Sequence, residues 1–416
     1  MRQVFVFEDG KGLLSPLTDL RLACEVRTGA LTLLERLGRI LSAGAAEGTA
    51  EDVSGLMVPP ALAPLARERP GLPINDLPAS PEPLLAINGR CVDPHEALTL
   101  APGEALVEAE TGDLVAAVVR PVMAQGAIRG DRSGLRARQT GGRALLGRPW
   151  HTRSFRDHAL DLDSALLLAE HPPHAMPPHI TVIGDAAVAI APSARVWPTV
   201  ILDATAGEIV IAEEATVRPG AILIGPCYIG PHSTILERAT IRAHTAVGPW
   251  CKVNGEVSGV IFQGYANKAH DGFLGDSWVG EWANLGAGTT NSNLLNTYGE
   301  VIARAAPGEG NERTGEQFLG AVIGDHVKTA ICTRIMTGAV IHTGTMWAAT
   351  APVSGAVPPF TWATDEARRQ FRLSRFLEVA RAAMARRGVT PSAAYEARLA
   401  DVHGRASEPA PGASGA

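Results

Sequence analysis

A histidine and two asparagines stand where the regular patterning of this chain breaks. The first break reads Gln263-Gly-Tyr-Ala-Asn-Lys268-Ala-His270-Asp-Gly-Phe-Leu-Gly-Asp276, and Asn284 and Asn293 follow within the next seventeen residues. An imidazole titrates at about 6.5, so near neutral pH it can take a proton from an attacking amine or hydroxyl. Equally, His270 can be a loop histidine satisfied by a carboxylate such as Asp271. Asn284 can hold a polar ligand or stack at a corner, and Asn293 can do the same or cap a turn. Gly286, Gly288 and Thr289 suit corners better than a phosphate cradle. His232 and His244 are twelve residues apart, which puts them on different faces of a three-sided coil. No metal site is expected from them.

These residues need a scaffold, and the repeat around them defines one. Ile211, Val217, Leu223, Ile229, Ile235, Ile241, Val247 and Val253 follow one another at intervals of six. Small residues keep the same step, four places on: Ala215, Ala221, Cys227, Ser233, Ala239, Thr245 and Cys251. An amphipathic helix repeats at about 3.6 residues and a half-buried strand at about 2. A period of six predicts an all-β, left-handed parallel β-helix of hexapeptide repeats, with aliphatic side chains inside and small ones at the corners. The period returns at Phe273, Val279 and Leu285, then at Ile323, Thr329, Ile335, Ile341 and Trp347. It breaks at about 254–272 and 291–322, where loops should leave the coil while its core continues beneath.

The flanks read differently. Residues 1–148 form an α/β unit. Its strands are Val4–Phe7, Leu84–Ile87 and Leu114–Val119, its helix spans Leu31–Leu41, and a Pro-rich loop runs from Pro59 to Pro83. Residues 149–178 read as a linker, helical over Asp161–Glu170 and stopped by His171-Pro-Pro-His174. The β-helix is assigned to 179–352. Residues 353–404 read as a helical segment. Thr364-Asp-Glu opens it, Leu373, Phe376, Leu377, Ala380 and Met384 form its apolar stripe, and Gly388 ends it, with a short second helix after Pro391. The tail, 405–416, is rich in Ala, Gly, Ser and Pro and is expected to be disordered.

Composition narrows the function. A net charge of -6 over 416 residues argues against a nucleic-acid partner, which needs basic surface, while a local basic pocket for a phosphorylated ligand would not show in the total. Its five cysteines are odd in number and include no CxxC pair, so neither a disulfide framework nor a zinc ribbon is expected. The first residues lack a signal-peptide pattern, and no apolar run approaches the roughly 20 residues of a membrane span. The chain reads as cytoplasmic, without a membrane partner.

Lys268-Ala-His270, Phe273-Leu-Gly-Asp276, Asn284-Leu-Gly-Ala-Gly-Thr289 and Asn293 together resemble the acetyltransferase half of the bifunctional UDP-N-acetylglucosamine pyrophosphorylase/glucosamine-1-phosphate acetyltransferase family. That family carries a Lys-Ala-x-His-Leu-Thr-Tyr-Leu-Gly-Asp run, then Asn-Ile-Gly-Ala-Gly-Thr and a further Asn. Aligned without gaps from the histidine, the resemblance implies a general base at His270 and substrate contacts at Asn284, Asn293 and Lys268. Phe273 replaces the family's tyrosine, and Asn293-Leu-Leu-Asn296 replaces its Asn-Tyr-Asp-Gly, which implies a different acceptor. The His-Asp-Gly-Phe-Leu-Gly segment is also similar to one in a group of bacterial sugar nucleotidyltransferase-like proteins.

The resemblance implies an acyltransferase that uses acetyl-CoA or another acyl-CoA. Its acceptor would be an amino sugar or sugar phosphate of nucleotide-sugar or cell-envelope precursor metabolism. It also implies a homotrimer whose partners are small-molecule sugar phosphates or nucleotide sugars. Two alternatives stay open: a sugar-1-phosphate nucleotidyltransferase making an NDP-sugar, and a trimeric sugar-nucleotide-binding scaffold without catalysis. In the family, a Gly-rich loop after the first strand holds the nucleotide phosphates. Here that place reads Glu8-Asp-Gly10-Lys11-Gly12, so Gly10, Lys11, Gly12 and Arg21 are the nucleotide-binding candidates. The family's magnesium-holding aspartate, in a Leu-x-Gly-Asp segment, is matched by Arg90 of Leu84-Leu-Ala-Ile-Asn-Gly-Arg90. Asp93 would have to substitute, and magnesium is expected only if this truncated nucleotidyltransferase-like unit is active. Arg27, Asp76 and Asp93 read as surface or salt-bridge groups.

Overall fold

The computed structural model describes residues 3–45, 52–68, 71–170 and 177–407. It divides into two compact units. The first comprises residues 1–12, 21–26 and 31–148. The second comprises 13–20, 27–30 and 149–416.

In the first unit, apolar runs with no alternation become strands covered on both faces. The strands are β1 (Val4–Phe7), β2 (Val53–Met57), β3 (Leu84–Asn88), β4 (Glu104–Val107), β5 (Leu114–Val119) and β6 (Arg136–Gln139). They lie in the order β2-β1-β3-β5-β4-β6. β1 runs parallel to β2 and β3, while β5 is antiparallel to β3 and β4. The helices are α1 (Leu33–Ala45), α2 (Ala63–Ala66), α3 (His95–Leu98) and α4 (Pro121–Ile128). Leu33, Leu37 and Leu41 of α1 pack with Val4, Val6, Leu85 and Ile87 on one face of the sheet. Ala124 and Ala127 of α4 pack with Phe5, Phe7 and Leu84 on the other. Patterning found β1, β3, β5 and α1. It missed β6, whose Arg-Ala-Arg-Gln sequence is exposed throughout.

The second unit is a three-sided parallel β-solenoid. Ile209, Cys227 and Thr245 stack in register, a step of 18 residues, or three hexads. The longest sheet holds nine strands, from Val188–Ile190 to Ala356–Val357. The aliphatic residues of the repeat, from Ile211 to Val253, are at most 1% exposed, and so are the small residues from Ala215 to Cys251. That is the inside-and-corner division the spacing requires.

Two features depart from the sequence reading. The chain does not leave the coil over 254–272. The coil tightens instead: Ala246 pairs with Ile261 and Lys252 with Asn267, steps of 15, and Ile261 pairs with Trp278, a step of 17. Within this stretch Leu274 fills the interior, and Phe273 is left at the corner. The second break is a true excursion, because Trp278 pairs with Val322, 44 residues on. The loop carries a small hairpin, Ile302–Ala303 against Glu312–Arg313. Its base packs Val301, Ala303 and Leu319 around Trp150.

The flanking helices are also displaced from expectation. Helix α5 (His151–Glu170) starts ten residues before Asp161, directly after Trp150. The proline stop at 171–176 lies outside the described residues. The coil does not end at 352, since Thr361–Ala363 continues one face and pairs antiparallel with Arg368–Gln370. Thr364-Asp-Glu is the turn of that hairpin, closed by Thr364 N donating to Ala367 O at 2.9 Å. Helix α6 (Leu373–Ala385) follows, and Phe376 packs edge-on against Phe360 at 4.7 Å. Helix α7 (Ala393–Ser407) includes the first residues assigned to the disordered tail, and 408–416 lie outside the described residues. Arg381 of α6 makes two 2.6 Å bonds to Glu396 of α7. Among the described residues, no helix is long and apolar enough to cross a membrane.

Candidate functional site

Lys268 occupies an interior position of the coil, in register above Val253. A charge cannot remain there without partners. Its Nζ therefore reaches the corner backbone and donates to Asn254 O at 2.8 Å and His270 O at 3.0 Å. Gly255, at φ +78°, leaves it room: a Cβ there would lie 2.9 Å from Nζ. Burial pulls the Lys268 ammonium down to about 8, although Asp271 opposes the shift. The side chain is only 2% exposed. Lys268 is thus buried beneath the corner, a correction to its expected place among the substrate contacts.

His270 sits on that corner with an exposed side chain. Lys268 fixes its carbonyl, and the next corner adds Gly288 N donating to Asp271 O at 3.0 Å. No hydrogen bond or ion pair holds the imidazole among the described residues, so the expected satisfaction by Asp271 is not formed. The corner is rigid while the ring is left available.

Asn284 lies on the outer side of the preceding face. Lys252, Asn267, Asn284 and Lys328 follow one another in register, and Asn267 Nδ2 donates to Asn284 Oδ1 at 2.8 Å. Beside this row runs a column of corner residues: His232, Trp250, Tyr265, Trp282 and His326. Each has φ between 52° and 60°, a conformation that costs free energy without glycine. Stacking offsets part of that cost, with His232 over Trp250 and Tyr265 over Trp282, both at 4.3 Å. The row, with Tyr265 and Trp282 of the column, forms one wall of a cavity of about 330 Å³; Val379, Ala382 and Ala383 of α6, with Arg386 and Arg387 just past its end, form the other. Burial alone lowers the Lys328 ammonium to about 8. Burial, then the charge of Glu281, raises the Tyr265 phenol.

Asn293 belongs to a different face. Its Nδ2 donates to Asp276 Oδ2 at 2.8 Å, and a Cβ on Gly275 would meet both that amide and the Phe273 ring within 2.8 Å. Asp276 also receives Arg156 of α5 at 2.7 Å and Arg153 at 3.1 Å. The fold thus brings Asn293 and Phe273 together and puts Asn284 with the cavity. His270 lies on the corner around from Asn267. His232 and His244 occupy different corners, the former stacked on Trp250 and the latter 3.3 Å from Asp157.

In the first unit, the strand ends of β1 and β3 face one crevice, the usual ligand position in such sheets. Here Arg90 fills it. Its guanidinium bonds Asp9 and Asp113, each at 2.6 Å, and Leu146 O at 2.9 Å. Lys11 takes the other oxygen of Asp113 at 2.6 Å, and Gly10 and Gly12 adopt φ of +68° and +83° around it. The turn expected from the two glycines forms, but Lys11 is committed to Asp113, and Arg21 is buried. Asp93 does not substitute as a magnesium ligand: it caps the start of α3 through His95 N at 3.0 Å and His95 Nδ1 at 2.7 Å. The carboxylates present are neutralised by cations of the chain, so the crevice does not fit magnesium. Arg27, read as a surface or salt-bridge group, is buried in the second unit, where its backbone N–H donates to Gln263 Oε1 at 2.8 Å.

The sugar nucleotidyl transferase family matches residues 4–171. The chain is 30% identical to YaiX, an uncharacterized acetyltransferase of Escherichia coli K12, over 165 residues that cover 39% of this chain and 71% of that protein. Through this relative the chain belongs to an acetyltransferase family. It is also 34% identical over 148 residues to a bifunctional sugar-1-phosphate nucleotidylyltransferase/acetyltransferase of Sulfurisphaera tokodaii, covering 32% of this chain. The match spans about a third of that relative's length, 34%. The bifunctional protein GlmU of Gloeobacter violaceus is 36% identical over 89 residues, 21% of this chain and 19% of that one.

For this family member, sequence reasoning missed Lys252, Tyr265, Asn267, Trp282, Lys328, Arg386 and Arg387. A signal existed in the 18-residue step from His232 to Trp250. It was lost beyond Trp250 because the following coils step by 15, 17 and 44 residues.

Proposed function

We propose that this chain transfers an acyl group, with acetyl the simplest case, from an acyl-CoA to an amine or hydroxyl of an amino sugar or sugar phosphate. The observation that carries the reading is His270: an exposed imidazole, without a hydrogen-bond or ion-pair partner among the described residues, on a corner whose backbone is anchored from beneath by Lys268. The acyl-CoA would supply an activated thioester carbonyl. His270 would take the proton that the acceptor loses as it attacks that carbon, and return it to the departing thiolate sulfur. Positioned acid–base groups contribute about 10²–10⁴ in rate. Asn284, whose Oδ1 is occupied by Asn267, has its Nδ2 available to hold an acceptor oxygen. Asp276 holds Asn293 in a fixed orientation, and the loss of the tyrosine hydroxyl at Phe273 supports an acceptor other than the family's. The transferase acts as a homotrimer in this reading. The corner of His270 continues to Cys332, since Cys332 N donates to Ala287 O, and next to it Ile331 is 72% exposed, an apolar group on an edge that a second copy would cover.

The test is CoA release with a panel of amino sugars and sugar phosphates. With the acceptor found, His270→Ala should lower kcat by about 10²-fold or more while melting as the wild type does. Asn284→Ala should raise KM more than it lowers kcat. Full activity of His270→Ala would remove the base, and light scattering showing a stable monomer at micromolar concentration would remove the trimer.

A further inference from the structure

We propose that the groove between the outer Lys252–Lys328 row and α6 is a binding site for a nucleoside diphosphate moiety. Four cations line it: Lys252 and Lys328 from the coil, and Arg386 and Arg387 from the turn that ends α6. None makes an ion pair among the described residues. This is unlike Arg381 of α6, which Glu396 holds at 2.6 Å. Lys328 is the most telling of the four. It lies half-buried under α6, and its Nζ finds only Trp282 O at 3.4 Å. A desolvated ammonium facing a cavity without a carboxylate is costly unless an anion arrives to pair with it. Lys252 and Arg386 are exposed at its mouth and Arg387 is half-buried; four cations exceed what one carboxylate or monophosphate needs, and they match two linked phosphates.

The rest of the lining fits the nucleoside. Tyr265 and Trp282 on one side and the alanines of α6 on the other give apolar walls. Asn267, whose Nδ2 donates to Asn284, offers its Oδ1 as an acceptor of the kind that reads a heterocycle edge. A volume of about 330 Å³ is at the small end of ligand sites, enough for a moiety of this size and not for a macromolecule. The α6 wall is stable, since Phe376 is seated on Phe360 and α7 is tied to His326 through Tyr395 Oη at 2.8 Å. The inference rests on the transfer reading above and deepens it: its acyl-CoA donor carries this chemistry, and so would an acceptor sugar bound as a nucleotide sugar. An acyl-CoA and a nucleotide sugar each carry such a diphosphate.

Direct binding tests it apart from turnover. Calorimetry of the full chain with ADP, UDP, CoA and a UDP-sugar should give saturable binding of at least one probe, and inorganic phosphate should bind far more weakly. Lys328→Met and the double variant Arg386→Ala/Arg387→Ala should each weaken that binding about tenfold or more, and Lys328→Arg should retain it. Near-wild-type melting of Lys328→Arg guards against misfolding. His270→Ala should bind unchanged, so lost turnover with intact binding separates the base from the groove. Preference for ADP and CoA would identify the acyl donor as the source, and preference for UDP and its sugar the acceptor. If no probe binds, or binding ignores both the Lys328→Met and the double arginine substitution, the inference is wrong.

Discussion

Lys268→Met tests the corner that holds His270. In the folded chain the Lys268 ammonium is lowered from its ordinary 10.5 to about 8 by burial. At pH 7 it is charged in both folded and unfolded chains. That charge costs the fold about 3 kcal/mol, taking roughly 1.4 kcal/mol per pKa unit. Its bonds to Asn254 O and His270 O return about 1.5–3 kcal/mol each, so the net change in stability at neutral pH is expected to be small. The pH dependence is decisive. Above pH 8 the folded chain releases this proton while the unfolded chain keeps it to about 10.5, so the wild type gains stability over the variant across that window. Urea unfolding of both proteins at matched concentration should show their difference growing by roughly 2–3 kcal/mol between pH 7 and pH 10. Turnover of the variant should fall even at pH 7, because the carbonyl of His270 loses its anchor. A difference that stays flat from pH 7 to 10 would mean that the ammonium is solvated and that the corner does not depend on it.

Two further outcomes are expected. The half-buried Glu8 carboxyl is raised to about 7 by desolvation, against the N–H groups of Ala23 and Cys24, so the folded chain holds a proton that the unfolded chain releases from 4.5 upward. Stability should fall by about 3 kcal/mol as pH rises from 4.5 through 7, and thermal melts of Glu8→Gln should lack that decline. With NTP, sugar-1-phosphate and magnesium, the full chain should release no pyrophosphate, because Arg90 and Lys11 occupy Asp9 and Asp113. Release that disappears with Asp93→Ala would overturn that reading of the crevice.

The sequence by itself determined the solenoid, because a six-residue period leaves no other way to bury Ile211 to Val253 on one side and seat Ala215 to Cys251 at the corners. It also determined β1, β3, β5 and α1, whose apolar runs match their periods, and it singled out His270, Asn284 and Asn293. Only the tertiary structure decided what those residues face. A coil shortened by one to three residues keeps its interior column and shifts every outward residue by the same amount. The row from Lys252 to Lys328 and the column from His232 to His326 therefore cannot be counted from a fixed step. The same shift put Lys268 in an aliphatic column, where its ammonium had to turn back to the corner carbonyls. α6 supplies the far wall of the groove from more than fifty residues beyond Lys328, a distance that no local pattern spans. In the first unit, Arg90 signalled a changed crevice from sequence. Its partners, Asp9 and Asp113, came from other strand ends brought together only by the sheet order.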